Sequence, residues 1–387
     1  MWRTWLGCSL VVALAALVSL LSAAPASAQV PLGSQFQVNT YTPGLQDAPN
    51  VAALANGDFV VVWESYVTSN RDGGAYSIEG QRFASDGTAL GSEFQVDTET
   101  IYNQTPVVAA GASGDFVVVW SSYGTAGGDN SNWGIHARRY ASDGTALSSE
   151  FQVNTYTTGY QVQPAVAARA DGGFVVVWES AGSYGTDTSN SSVQGQRYAS
   201  DGTAEGSEFQ VNSYTTGGQS VPAVASTAAG DFVVTWASPG PGDPFSDSVQ
   251  AQRFASNGVA QGGQFQVNTY TSGNQRDPAV AAVDGGDFVV AWGSGDNFRS
   301  DVRARRYSSD GTAHGSDFMV GNAAYDPSLA PLTNGNYVVA WAGYSYGTDL
   351  DTSIQAQRYL PEPDATLALG AGIALLAGMR ARRGSPR

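Results

Sequence analysis

Five consecutive apolar residues, Phe59-Val60-Val61-Val62-Trp63, open a pattern that returns along the whole chain, with runs of the same form ending at Trp120, Trp178, Trp236, Trp292 and Trp341. Such runs are short for a helix and rich in β-branched and aromatic side chains, so each predicts a strand. Alternation puts Phe59, Val61 and Trp63 on one face and Val60 and Val62 on the other. Both faces are apolar, so the sheet needs a layer against each side. Three further strand signals surround each run. Pro-x-Val-Ala-Ala precedes it, as at Pro49–Ala53 and Pro164–Ala168. A segment ending in an Arg-aromatic pair follows it: Arg82-Phe83, Arg139-Tyr140, Arg197-Tyr198, Arg253-Phe254, Arg306-Tyr307 and Arg358-Tyr359. Last comes Phe-Gln-Val, at Phe36, Phe94, Phe151, Phe209 and Phe265, with Phe318-Met319-Val320 as a sixth version.

Successive Trp spacings are 57, 58, 58, 56 and 49 residues, so the chain holds six copies of one four-stranded unit. Asp86-Gly87, Asp143-Gly144, Asp201-Gly202, Asn257-Gly258 and Asp310-Gly311 separate the third and fourth strands. Asp-Gly and Asn-Gly favour a φ > 0 pair in a two-residue hairpin, which predicts antiparallel neighbours. Stacking each sheet between two of its own copies predicts an all-β fold, a six-bladed β-propeller with four antiparallel strands per blade. A β-helix also stacks repeats, but its coils are much shorter than these. The last copy ends at Leu360 without a Phe-Gln-Val, and the first Phe36-Gln37-Val38 lacks a preceding partner. Closure by the N-terminal strand is therefore expected, with Phe36–Asn39 paired to Ile354–Tyr359 so that no edge stays open. Small side chains place Pro-x-Val-Ala-Ala innermost. The loops after strands two and four then share one rim, where the variable segments gather as a recognition surface.

Composition narrows the functional classes. The 387 residues contain 18 basic side chains, all Arg, against 34 acidic ones, a net charge of −16. So acidic a body repels phosphate backbones, and nucleic acid is excluded as an expected partner. The one cysteine, Cys8, lies in an N-terminal segment that reads as a leader: Arg3, an apolar run from Leu6 to Leu21, and Ala26-Ser27-Ala28 as the cleavage site. Residues 1–28 are thus expected to be a signal peptide and 29–360 the propeller. The mature chain would hold no disulfide, thiolate zinc site or cysteine nucleophile.

The C-terminal segment 361–387 joins Pro361-Glu362-Pro363, an apolar stretch Ala365–Met379, and Arg380, Arg382 and Arg383. A helix of that length spans about 22 Å, short for a ~30 Å hydrocarbon core, with basic residues on the inner side. The order resembles the PEP-CTERM sorting signal. The resemblance implies an exosortase-type membrane protease as partner, a Gram-negative source, a transient transmembrane helix in the inner membrane, and delivery to the cell surface or an extracellular polysaccharide matrix. A permanent single-span anchor is the alternative. The repeats themselves resemble those of large secreted bacterial proteins, which adds no chemistry.

Among candidate sites, Trp63, Trp120, Trp178, Trp236, Trp292 and Trp341 continue the apolar alternation and are expected as core between blades, and the repeated Arg as a structural partner. Ser85-Asp86-Gly87-Thr88 departs from the Asp box of sialidase propellers, which has another residue between Asp and Gly and an aromatic after Thr, where Ala89 stands here; it reads as a hairpin turn. Oxygen-bearing side chains gather in the variable loops. Asp296, Asn297, Asp301, Asp349 and Asp351 are weak calcium candidates, without EF-hand spacing, and no other cofactor is implied. Tyr66, Tyr123, Trp133, Tyr184, Phe245, Tyr344 and Tyr346 suggest contact with polysaccharide or a surface protein. His136 and His314 are the only histidines, and no Ser-His-Asp order, His metal pair or nucleophile elbow occurs. No copy shows an obvious acid pair either, so the expectation is a non-catalytic binding, adhesion or structural protein and no enzyme. The alternative is a propeller glycoside hydrolase or lyase acting on exopolysaccharide, with Glu64 and Glu179, which follow Trp in two copies, as available carboxylates.

Overall fold

The computed structural model describes residues 35–67, 75–98, 102–124, 132–240, 243–295, 300–344 and 352–360. The leader, its cleavage site and the sorting tail lie outside the described residues. Among those described, no helix is long and apolar enough to cross a membrane. From Val38 onward the chain is a six-bladed β-propeller, each blade an antiparallel sheet that the chain traverses in order.

Blade 1 comprises β1 (Gln46–Ala53), β2 (Phe59–Val67), β3 (Ala75–Phe83) and β4 (Ala89–Gln95). Blade 2 comprises β5 (Asn103–Ala110), β6 (Phe116–Tyr123), β7 (Trp133–Tyr140) and β8 (Phe151–Gln152), and blade 3 comprises β9 (Gln161–Ala168), β10 (Phe174–Ala181), β11 (Ser191–Tyr198) and β12 (Phe209–Gln210). Blade 4 follows with β13 (Ser220–Ser226), β14 (Phe232–Gly240), β15 (Asp243–Phe254) and β16 (Phe265–Gln266), and blade 5 with β17 (Gln275–Ala282), β18 (Phe288–Ser294), β19 (Asp301–Tyr307) and β20 (Phe318–Gly321). Blade 6 has three strands among the described residues, β21 (Ala324–Pro331), β22 (Tyr337–Tyr344) and β23 (Thr352–Tyr359). The first strands β1, β5, β9, β13, β17 and β21 pack each on the next, as the small side chains of Pro-x-Val-Ala-Ala allow.

Burial follows the two-faced pattern of the second strands. Val60 and Val62 of blade 1 enclose one core with Phe116, Val118 and Trp120 of blade 2. Val117 and Val119 of blade 2 do the same with Phe174, Val176 and Trp178 of blade 3, and the scheme repeats through blade 6. All six repeated Trp are buried. Within each blade the Phe or Tyr at the start of strand two stacks on the aromatic ending strand three, as Phe174 does on Tyr198 with ring centroids 4.8 Å apart. The repeated Arg rivets neighbours together: Arg197 donates to the Ser256 carbonyl at 2.9 Å, and Arg82, Arg139 and Arg253 reach the turns of the next blade likewise.

Among the described residues Phe36–Asn39 is not part of a strand, and β23 is the last of three strands in its sheet. What the N-terminal segment does share with the repeats is its exit. Val38 packs on Val61 and Trp63 of blade 1, and the Thr40 N–H bonds to Glu93. Val96 and Thr98 meet blade 2 in the same way, through the Trp120 core and a 2.9 Å bond to Glu150. Ile354 on β23 is 80% exposed. The hairpin turns differ from expectation. Only the glycine is at positive φ, as at Gly87 (φ 86°), Asp86 accepts the Thr88 N–H, and Ala84 closes the loop through Thr88. This is a type I turn followed by a left-handed glycine, which a three-residue connection prefers.

Candidate active site on the loop rim

A bulge interrupts every first strand where it meets the rim. The residue before each motif proline, namely Ala48, Thr105, Gln163, Val221, Asp277 and Asp326, has φ between 47° and 53°. The ladder to strand two skips there, between Arg276 and Ala279 in blade 5 and between Tyr325 and Ser328 in blade 6. A residue preceding proline is normally extended, and left-handed φ without glycine costs roughly 1–3 kcal/mol. The bulge lifts one side chain per blade out of the pleat, and bulges do this beside functional sites. Four of the six lifted side chains are uncharged. Blades 5 and 6, which are adjacent, carry Asp.

Asp277 is half-buried and Asp326 exposed. Burial pushes the Asp277 carboxyl above the usual carboxylate range, and the charges of Asp326 and Asp247 push it further, against a partial offset from Arg276. The Arg276 Nε is buried without a hydrogen-bond acceptor among the described residues, which leaves one donor unclaimed beside the pair. A carboxyl pushed toward its protonated form beside another on the neighbouring blade sets two like groups toward different roles.

Glu64 and Glu179, the acids following Trp, reach the same ring of bulges. Glu64 accepts the Thr105 N–H at 2.6 Å, and Glu179 accepts the Val221 N–H, each from the next blade. Burial raises both pKa values, with the backbone bonds pulling the other way. Blade 2 stands between the blades of Glu64 and Glu179, so they do not form a pair.

More acids are buried at the junction of blades 1 and 2. Burial raises Glu79 to about 7 and Asp97 to about 6, with Glu93 and Glu150 among the neighbouring charges. Glu150 goes the other way: burial pushes it upward, but bonds from His136 and Thr98 hold it below the usual range, with His136 Nδ1 at 2.9 Å. These groups sit in structural positions. The residue immediately before each Phe-Gln-Val or its equivalent clamps the loop arriving from the preceding segment, at Glu93, Glu150, Glu208, Gln264 and Asp317.

The remaining sequence candidates divide as follows. Asp301 accepts the Ala323 N–H, while Asp296, Asn297, Asp349, Asp351 and Tyr346 lie outside the described residues. Among the described residues no group of three or more His, Asp or Glu side chains is placed to hold a metal ion. Asp187 is buried and bonded to Asn212 at 2.7 Å, so it supports a loop and is not free to bind. The Asp277–Asp326 pair went unseen in the sequence, although a signal was there: of the residues preceding the motif proline, these two alone are acidic.

No family model matches this chain, and no curated protein matches it. Solved structures do. An α-L-arabinofuranosidase from Fusarium graminearum, in complex with an iminosugar inhibitor, is similar over 83% of this chain and 94% of its own, at 15% identity and a TM-score of 0.54. A Penicillium chrysogenum α-L-arabinanase complexed with arabinobiose covers 81% and 93%, at 15% identity and a TM-score of 0.50. A leech intramolecular trans-sialidase covers 84% and 70%, at 8% identity and a TM-score of 0.54. At such identities the likeness is one of fold. It still overturns the expectation that this chain is not an enzyme, because the propellers it resembles over most of its length are carbohydrate-cleaving enzymes. That expectation had also leaned on the lack of an acid pair, and blades 5 and 6 hold one.

Proposed function

We propose that the protein is a propeller glycoside hydrolase acting on polysaccharide, with its site at the bulges of blades 5 and 6. The observation that supports this most is the pair of carboxyls at equivalent left-handed positions, one raised in pKa by burial and by the charge of the other. Asp277, pushed toward its protonated form by burial, donates its proton to the departing glycosidic oxygen. Asp326, exposed on the neighbouring blade, supports the developing positive charge at the sugar carbon. Likeness in fold to an arabinofuranosidase and an arabinanase supports arabinose-containing polymers as the first substrates to try. The export signals expected at both chain ends support an extracellular polysaccharide as the natural one.

The test is release of reducing sugar from arabinan and from a panel of bacterial exopolysaccharides by the wild type, Asp277→Asn and Asp326→Asn. General acid–base catalysis is typically worth about 10²–10⁴-fold in rate, so each substitution is expected to remove at least ~100-fold. Wild-type rates in both variants, or no hydrolysis of any polymer by the wild type, would sink the proposal.

A further inference from the structure

Five aromatic rings run in contact along the loop rim of blades 1 and 2. Tyr66 meets Tyr76 at 4.8 Å between ring centroids, Tyr76 meets Tyr102 at 6.4 Å, Tyr102 meets Tyr123 at 6.3 Å, and Tyr123 meets Trp133 at 5.6 Å. Tyr102 and Tyr123 are 47% and 43% exposed. Backbone pairing holds the row in place: Tyr66 is opposite Tyr76, Tyr76 bridges to Tyr102, Tyr123 donates its N–H to the Tyr102 carbonyl at 3.0 Å, and Tyr123 is opposite Trp133.

The propeller does not need this row. Every blade repeats the buried stacked pair and the core Trp, but the place of Tyr66 and Tyr123 is taken by Ala181, Pro239 and Gly295 in blades 3, 4 and 5. A row of half-buried and exposed rings across two blades, absent from three built alike, points to a ligand. We infer that Tyr66, Tyr76, Tyr102, Tyr123 and Trp133 form a stacking track for a neutral polysaccharide chain. Their faces offer apolar surface to the C–H faces of sugar rings, and their hydroxyls offer hydrogen bonds at the rim. Rings already fixed by backbone pairing lose little freedom on binding. The occupant is neutral because the chain carries −16 and Asp47 and Glu64 belong to the same blade, so a polyanion would be repelled.

The choice of polysaccharide rests on the hydrolase reading, but the track lies on blades 1 and 2 and holds a chain whether or not blades 5 and 6 cleave it. Binding is read by affinity gel electrophoresis in linear arabinan, xylan and β-glucan, with alginate as the anionic comparison. The protein is the full chain carrying Asp277→Asn, so that no polymer is consumed. Retardation by at least one neutral polymer is expected, with Tyr102→Ala/Tyr123→Ala raising Kd about tenfold or more. Tyr102→Leu, which keeps bulk without the ring, covers the case in which the double variant fails to fold, and it is expected to weaken binding in the same direction. No retardation by any neutral polymer, retardation by alginate alone, or equal binding by a folded Tyr102→Leu variant would overturn the track. None of these outcomes touches the hydrolase reading, which falls on the loss-of-rate measurement with Asp277→Asn and Asp326→Asn.

Discussion

Asp97→Asn should make the protein more stable, and only above a certain pH. At the corresponding place blades 2, 3 and 4 carry Asn154, Asn212 and Asn268, whose Oδ1 atoms accept the N–H of Ile135, Val193 and Val249 at 2.8–2.9 Å. Asp97 does the same for the Ile78 N–H at 2.6 Å. Its other oxygen accepts from Asn103 Nδ2 at 2.9 Å. Asn154 shows the amide version, donating its Nδ2 to Gln161 Oε1 at 3.0 Å. In the variant the Asn103 amide turns over, so that its oxygen accepts from the new amide.

The magnitude follows from linkage. Burial raises Asp97 from 3.8 to about 6, so the folded state binds a proton that the unfolded state has released. The stability tied to that proton is complete below pH 3.8 and is lost as pH rises through about 6. At about 1.4 kcal/mol per unit, the ionised form costs up to roughly 3 kcal/mol at pH 8. Asp97→Asn should therefore gain on the order of 1–3 kcal/mol at pH 8 and close to nothing at pH 4. Denaturant melts of both proteins from pH 4 to 8 read the difference directly. Equal stability of the two proteins at pH 8, or a gain of the same size at pH 4, would refute the reasoning.

Four further outcomes can be checked in the same melts. Trp178→Ala empties a fully buried site between blades 2 and 3, and because its indole N–H has no partner, the loss is one of packing, about 3–5 kcal/mol. Glu208→Gln is expected to stabilise by about 1 kcal/mol, since Glu208 Oε1 and Gln194 Oε1 are both buried without donors, and Gln264 makes the equivalent bond to Gln250 at 3.2 Å. Glu208→Ala should instead destabilise by roughly 2–3 kcal/mol or more, as it strands the Thr155 and Tyr156 N–H groups; equal effects of the two substitutions would count against the clamp. Gly202→Ala should cost more than about 1 kcal/mol, because φ is 87° and the new methyl would lie 3.0 Å from the Arg139 Cδ.

Much of this architecture was legible in the chain because it is written six times. Runs such as Phe174–Trp178 are apolar on both faces, and nothing but another copy of the same sheet can cover both sides of them. The strand order and the buried Trp follow from that alternation, which is local and period-two. The turn geometry was misread because Asp-Gly fits both a two-residue and a three-residue connection, and the register of Arg82–Ala89 decides between them.

What sequence alone determined, then, is the repeat, its strands and the identity of every residue that breaks the repeat. What only tertiary structure decided is which of those exceptions stand together. Asp277 and Asp326 are 49 positions apart and become neighbours because equivalent bulges on adjacent blades project from the same rim. Glu64 and Glu179 share a motif yet stay apart, because a whole blade stands between theirs. Proximity between blades depends on stacking order, and burial sets the acidity of each carboxyl, so neither can be read from one strand at a time.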